Sequence, residues 1–284
     1  LWGTALAKQR NLPLLASYHT DITQYARHLK LPMLQEPSRR FLRDVHNQAH
    51  VNLCTSVPMV RSARGLGIKR VRLWPKAVDT DLFRPERATR AMRERLSGGH
   101  PDDPLMIYVG RLSYEKRIDW LYAPVTSLPN VRLALVGSGP AEADLKKRFR
   151  GTNTVFTGYM SGTELASAYA SSDVFAFPSD TETLGFVAME SMAAGTPAVG
   201  ARAGGIPDVI ADGETGLMFT PGDLGDLTGK LKRLLFDAAE RRRLGEAARA
   251  EMLKHNWQAA TERLVGFYEL ARAVHGRFDP PSRY

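Results

Sequence analysis

The sequence predicts an α/β fold in which parallel sheets are joined by crossover helices. Short apolar runs of strand length alternate with stretches of helical spacing along most of the chain. The strongest of those runs also end in glycine-rich or polar turns, the places where such sheets carry their sites. The chain has 284 residues, 43% of them hydrophobic and 24% charged, enough for one large or two modest cores. No run approaches the about 18 apolar residues of a membrane span. Cys54 is the single cysteine. It excludes an intrachain disulfide, offers no cysteine cluster for a metal, and is read as a small buried hydrophobe.

Taken in order, residues 12–18 form a continuous apolar run that ends in Tyr18-His-Thr-Asp21, a strand followed by a polar loop. His19 stands at the carboxyl end of that strand, a place for a site residue, although a lone histidine is more often structural. Residues 36–48 have helical spacing through Phe41, Val45 and Ala49; residues 51–55 read as a strand, 57–66 as a helix and 71–74 as a strand. Residues 76–85 read as a turn and linker. Asp79 and Asp81 there make an Asp-x-Asp that either binds a divalent metal or shapes the turn, and the structural reading is preferred.

Residues 105–117 are a strand delivering Gly110 and then a helix. Gly110 lets the backbone come close to a ligand, Arg111 can fork onto a diphosphate, and Lys116 adds a point charge. Residues 131–140 give another strand and turn, where Gly137-x-Gly139 matches a dinucleotide fingerprint only in part because Glu142 occupies the third glycine position. Strands at 154–160 and 173–178 flank a helix over 161–171. Past Gly205, three helical stretches run to about Ala273, with Leu231, Leu234, Leu244, Ala248 and Met252 on the core side.

Residues 179–195 are the organising stretch. Glu182 and Glu190 are separated by seven residues, with a helix expected to start at Thr183 as N-cap and to stop at Gly195 before Pro197. The backbone N–H groups of Leu184, Gly185 and Phe186 would then face a phosphate, while the two carboxylates accept sugar and ribose hydroxyls. The alternative is two charges on a solvated helix face.

The net charge of +9 is local: residues 1–76 hold 13 Lys or Arg against 3 Asp or Glu, and the rest holds 26 against 27. An anionic membrane surface or an anionic substrate fits that excess, as does a plain solvated face. Aromatic–basic interleaving, zinc fingers and helix-turn-helix signals are missing, so no nucleic-acid partner is expected. The chain does not begin with methionine, and its first domain is expected to be incomplete.

The spaced pair Glu182/Glu190 around Thr-Leu-Gly-Phe, followed by Gly195-Thr-Pro-Ala-Val and Ala203-Gly-Gly-Ile-Pro-Asp-Val-Ile210, resembles the donor-site signature of retaining glycosyltransferases of the GT-B fold. Gly110, Arg111 and Lys116 match that family's Gly-Arg-x-x-x-x-Lys diphosphate site. Ser17-Tyr-His-Thr20 matches the place of a histidine against the donor sugar. The resemblance implies two Rossmann-like domains facing a cleft, the first incomplete here. Residues 1–83 would be the acceptor-side domain, 84–256 the donor domain, and 257–284 a helix returning to the first domain with a tail.

It further implies His19, Arg111, Lys116 and Glu182 as catalytic residues. Gly110, Arg111, Lys116, Gly137, Thr183, Leu184, Gly185, Phe186 and Glu190 would hold a UDP-sugar donor, which is substrate rather than cofactor, with no metal. Arg72-Leu-Trp-x-Lys76, Val109-Gly-Arg-Leu112 and Phe219-Thr-Pro-Gly-Asp-Leu224 are similar, within the family, to sulfoquinovosyltransferases. The implied reaction is transfer of sulfoquinovose from UDP-sulfoquinovose to diacylglycerol, at a chloroplast envelope or a cytoplasmic membrane face. Lys76 would face the anionic donor group or stand as an exposed hinge lysine. The rivals are another lipid-directed transferase using UDP-glucose or GDP-mannose, a sugar epimerase, and an inactive nucleotide-binding fragment.

Overall fold

A computed structural model describes residues 2–18, 35–74, 77–182 and 184–278. The chain divides into two compact units, Leu1–Ala77 with Trp257–Tyr284, and Val78–Asn256.

The first unit is built on a three-stranded parallel sheet in chain order, β1 (Leu15–Tyr18), β2 (Val51–Cys54) and β3 (Val71–Leu73). Helix α1 (Trp2–Gln9) precedes it, and α2 (Gln35–His46) and α3 (Val57–Gly65) are its crossovers. Alternation along β2 sends successive side chains to opposite faces. Cys54 joins Tyr18, Leu42, Met59, Val60 and Val71 in one core, while Val51 and Leu53 pack with Leu264, Phe267 and Ala271. The second set belongs to α11 (Trp257–Phe278), the last helix of the chain. Asn52 is buried between these apolar neighbours and fully bonded: its amide donates to His46 O and Lys69 O, and its Oδ1 lies 2.9 Å from His46 Nδ1. Cys54 is fully buried and its thiol is pushed up to about 11 by burial, against a smaller lowering by Arg64, so it serves packing. Trp74 is also structural, its indole N–H donating to Ala260 O at 3.0 Å.

The second unit contains a six-stranded sheet, β4 (Leu105–Val109), β5 (Arg132–Val136), β6 (Thr154–Gly158), β7 (Val174–Phe177), β8 (Ala198–Ala201) and β9 (Gly216–Phe219). All pairs are parallel, in the order β6-β5-β4-β7-β8-β9. The apolar runs are explained by burial: every residue of β4, β7, β8 and β9 is buried, as in a sheet covered on both faces. Helices α4 (Arg90–Ser97), α5 (Tyr122–Ser127), α6 (Glu142–Arg148), α7 (Gly162–Ala170), α8 (Phe186–Ala193), α9 (Leu224–Phe236) and α10 (Ala238–Met252) complete the unit. The order reverses beside β4: the chain steps outward through β5 and β6, then returns to place β7 on β4's other side. That reversal is the topological switch point, and the loops leaving β4 and β7 both emerge there.

The boundary expected after residue 83 falls instead at Ala77/Val78. Val78 N donates to His255 O, and Val78 and Phe83 are part of the second unit's core. Asp79 shapes this segment as a turn residue: its Oδ1 accepts from Asp81 N at 3.1 Å and Leu82 N at 2.9 Å. Among the described residues, no helix is long and apolar enough to cross a membrane.

Candidate functional site

Three loops at the carboxyl ends of β4, β5 and β6 are laced together before any side chain is considered. Gly110 N donates to Val136 O at 3.0 Å, Leu112 N to Ser138 O at 3.0 Å, and Gly137 N to Gly158 O at 2.8 Å. Gly137 has φ +132, and a Cβ there would come within 2.0 Å of Gly110 O. A glycine is therefore demanded at 137 by backbone packing, which accounts for the incomplete Gly-x-Gly pattern without a dinucleotide fingerprint. Below the turn, the buried Tyr108 donates its hydroxyl to Arg111 O at 3.1 Å, fixing the residue that carries the exposed guanidinium.

Beyond Arg111 the expected helix is replaced by two short 3-10 turns, Tyr114–Lys116 and Ile118–Leu121, because Arg117 takes a left-handed φ of +52 and interrupts them; α5 begins only at Tyr122. The interruption turns this loop toward the one leaving β7. Thr181 Oγ1 lies 3.5 Å from Glu115 O, Arg117 Nε is 3.4 Å from Asp180 Oδ2, and Lys116 Nζ meets Glu182 Oε1 at 2.5 Å. Burial pushes the Glu115 carboxyl up, but the Ser113 hydroxyl at 2.6 Å, its own backbone N–H, Lys116 and Arg111 together bring it below the usual range. Ser179 Oγ and Asp180 Oδ1 are buried and lack a hydrogen-bond partner among the described residues.

Glu182 is held from behind. Its carbonyl accepts from Gly205 N at 2.8 Å, and a Cβ on Gly204, whose φ is +57, would lie 2.2 Å from the same oxygen. This is the physical sense of the Ala203-Gly-Gly-Ile stretch. The N-cap expected at Thr183 is not where α8 begins: the helix starts at Phe186 with Gly185 as N-cap at φ +82 and no side-chain cap. A left-handed Gly185 moves the start by two residues, and the first-turn N–H groups are left to whatever stands before the helix. Leu184 is buried, Phe186 exposed. The helix ends at Ala193, with Gly195 left-handed at φ +79.

Glu190 lies one turn into α8 and its surroundings differ. The hydroxyl of Tyr169, on α7 and fully buried, donates to Glu190 Oε2 at 3.2 Å. Burial pushes the Glu190 carboxyl up to about 7, and the Tyr169 hydrogen bond lowers it only in part. Tyr169 itself is held far above the ordinary phenol range by burial first and by Glu190.

Of the residues the sequence singles out, Gly110, Arg111, Lys116, Gly137, Glu182, Leu184, Gly185 and Phe186 lie on the loops or first turn following β4, β5 and β7, and Glu190 lies one turn further along α8. His19, Thr183 and Lys76 lie outside the described residues. Sequence reasoning missed Tyr169, Tyr108 and Gly204. Tyr169 sits among small apolar residues of a helix, and nothing in that spacing signals a hydroxyl aimed at a carboxylate 21 positions later. The assembled site can grip a diphosphate with Arg111, Lys116 and the α8 N-terminus, and hydroxyls with two carboxylates.

The family model for glycosyl transferases group 1 matches residues 93–251, and that for glycosyltransferase family 4 matches residues 1–82. The chain is 42% identical over 266 residues to a sulfoquinovosyl transferase of Arabidopsis thaliana, covering 92% of this chain and 52% of that protein. It is 35% identical over 281 residues to a GDP-mannose-dependent alpha-mannosyltransferase of Mycobacterium tuberculosis, covering 97% and 70%. The chain thus spans about half the length of the first relative. Sucrose-phosphate synthase from Thermosynechococcus elongatus superimposes with a TM-score of 0.82 at 28% identity, over 95% of this chain and 71% of that one. An Anabaena protein solved with UDP superimposes at 0.83 but is 18% identical, over 94% and 75%, and speaks for the fold alone. The parallel α/β architecture is that of the GT-B glycosyltransferases, and the chain belongs to the group 1 glycosyl transferases.

Proposed function

We propose that this chain carries the donor site of a retaining glycosyltransferase that moves sulfoquinovose from UDP-sulfoquinovose to diacylglycerol. The observation that carries the proposal is the meeting of Lys116 and Glu182, on loops leaving β4 and β7, at the switch point of the sheet. Identity to the Arabidopsis transferase supports the choice of donor and acceptor. As the anomeric bond lengthens, charge builds on the departing diphosphate, and Arg111, Lys116 and the first turn of α8 stabilise it without a metal. Glu182 orients the sugar hydroxyls, Glu190 accepts from the ribose, and His19 contacts the sugar. No second carboxylate is assigned as nucleophile. The acceptor attacks on the leaving-group face, with the diphosphate taking its proton.

The acceptor is reached at an anionic membrane surface, in the chloroplast envelope or on a cytoplasmic membrane face. The basic first unit supports this: α2 carries Arg39, Arg40 and Arg43 together with an exposed Phe41. Part of that charge is used internally, since Glu36 pairs with Arg40 at 3.2 Å and Arg70 donates to Ala49 O and Asn47 O.

A second reading has its own support. The mannosyltransferase relatives match nearly the whole chain, and GDP-mannose would use the same phosphate grip. Calorimetry with UDP-sulfoquinovose, UDP-glucose and GDP-mannose separates the two, with Arg111→Ala as control. Preference for the sulfonated donor, lost in the variant and followed by labelled product on diacylglycerol vesicles, is the expected result. Preference for GDP-mannose selects the second reading, and binding without transfer to any lipid leaves a nucleotide-binding module.

A further inference from the structure

We infer that Glu182, through its ion pair with Lys116, makes the site favour a nucleotide sugar over the free nucleoside diphosphate that remains after transfer. The inference rests on the donor-site reading and adds to it a role in product release.

The side chain assigned to the diphosphate and the side chain assigned to the sugar are each other's partner: Lys116 Nζ is 2.5 Å from Glu182 Oε1, with the two side chains 23% and 15% exposed. Among the described residues, no other carboxylate is within ion-pair distance of Lys116. A ligand entering here has to divide this pair. When the ammonium turns to the phosphate oxygens, the Glu182 carboxylate stays within a few ångströms of them. Its backbone is anchored, the Glu182 carbonyl accepting from Gly205 N at 2.8 Å, so the carboxylate moves only within the reach of its own side chain. Two anions so close repel, in a partly buried site where water screens them poorly.

A sugar on the diphosphate changes the balance. Its hydroxyls donate to Glu182 and take the place of the ammonium, so both charges are satisfied at once. Once the sugar has left, Glu182 has Lys116 alone, competes for it, and leaves the diphosphate with Arg111 and the α8 N-terminus. Glu182 therefore does more than contact the sugar; it weakens the hold on the spent nucleotide. Arg111 lies outside this pair, near the Glu115 carboxylate, and sets the affinity common to both ligands.

Calorimetric titration of the whole chain with UDP against UDP-glucose, and GDP against GDP-mannose, tests this with whichever pair the unaltered protein binds. Glu182→Gln is expected to bind the diphosphate about threefold to tenfold more tightly, while the nucleotide sugar is bound equally or more weakly. Glu182→Ala should do the same, which guards against an effect peculiar to one replacement. In a Lys116→Met background, Glu182→Gln should bring no gain. Unchanged or weakened diphosphate binding in both Glu182 variants overturns the inference, as does a gain that persists without Lys116. If Arg111→Ala still weakens binding while the Glu182 variants show no gain, the inference alone falls. If the unaltered protein binds neither nucleotide pair, or Arg111→Ala changes nothing, the donor-site reading falls and the inference with it.

Discussion

The two ends of residues 179–195 treat the same acid in opposite ways. Glu182, in the loop leaving β7, has a lysine at ion-pair distance and sits with its charge compensated. Glu190, on the helix that follows, has no cation in reach among the described residues; burial pushes its carboxyl up to about 7, and the Tyr169 hydroxyl opposes that only in part. The lesson is that spacing in sequence says little about ionisation. The first carboxylate is held by a lysine and can change partners, and the second is an acid whose charge changes around neutral pH.

The bluntest way to break the contrast is to unseat one end. Gly204→Ala puts a Cβ 2.2 Å from Glu182 O at a φ of +57. It should cost about 3 kcal/mol of stability, read by urea denaturation, and strip away nucleotide-sugar binding. Gly213→Ala, also at positive φ but with open space around it, should cost about 1 kcal/mol and leave binding intact.

The second test works on charge. Because the Glu190 carboxyl is raised in the folded protein, its contribution to stability is fully present below its ordinary value of 4.5 and is lost as pH rises through about 7. Glu190→Gln should therefore stabilise the chain by about 2–3 kcal/mol at pH 8 and by almost nothing at pH 4.5. Denaturation midpoints over that range check it. On the proposed role of Glu190 as acceptor for the ribose hydroxyls, UDP-glucose affinity should fall roughly tenfold from pH 8 to pH 6 and become flat in Glu190→Gln.

Tyr169→Phe sharpens the comparison further. It should cost about 1 kcal/mol and move the pH midpoint of nucleotide-sugar binding upward, because the hydroxyl that favours the carboxylate is gone. The smallest effect is expected at Glu182→Gln, which should change stability by under about 1 kcal/mol at any pH between 5 and 8, as befits a pair that water still reaches.

The sheet was legible because its strands are buried on both faces and so read as unbroken apolar runs, as at residues 105–109 and 174–177. That Gly110, Arg111 and Lys116 share the loop leaving β4 was legible because they are close in the chain. What could not be read depends on contacts distant in sequence. Gly137 is a glycine because Gly110 O lies beside it, and Gly204 because Glu182 O does. The start of α8 at Phe186 follows from a left-handed Gly185, whereas the sequence offered Thr183 as a capping residue. The break at Arg117 was hidden, since an arginine at φ +52 is a departure no propensity announces. Helix α4 went unread because it is short and mostly charged or polar, with Ala91, Met92 and Leu96 its apolar residues.

The first unit takes its last helix from residues that follow the second in the sequence. During synthesis, the strand bearing Val51 and Leu53 leaves the ribosome long before Leu264, Phe267 and Ala271 exist to cover it. The second unit, continuous in the chain, can fold while the first still waits with one face bare. The part made first is thus finished last, and the interval between them is when a chaperone would find its apolar target.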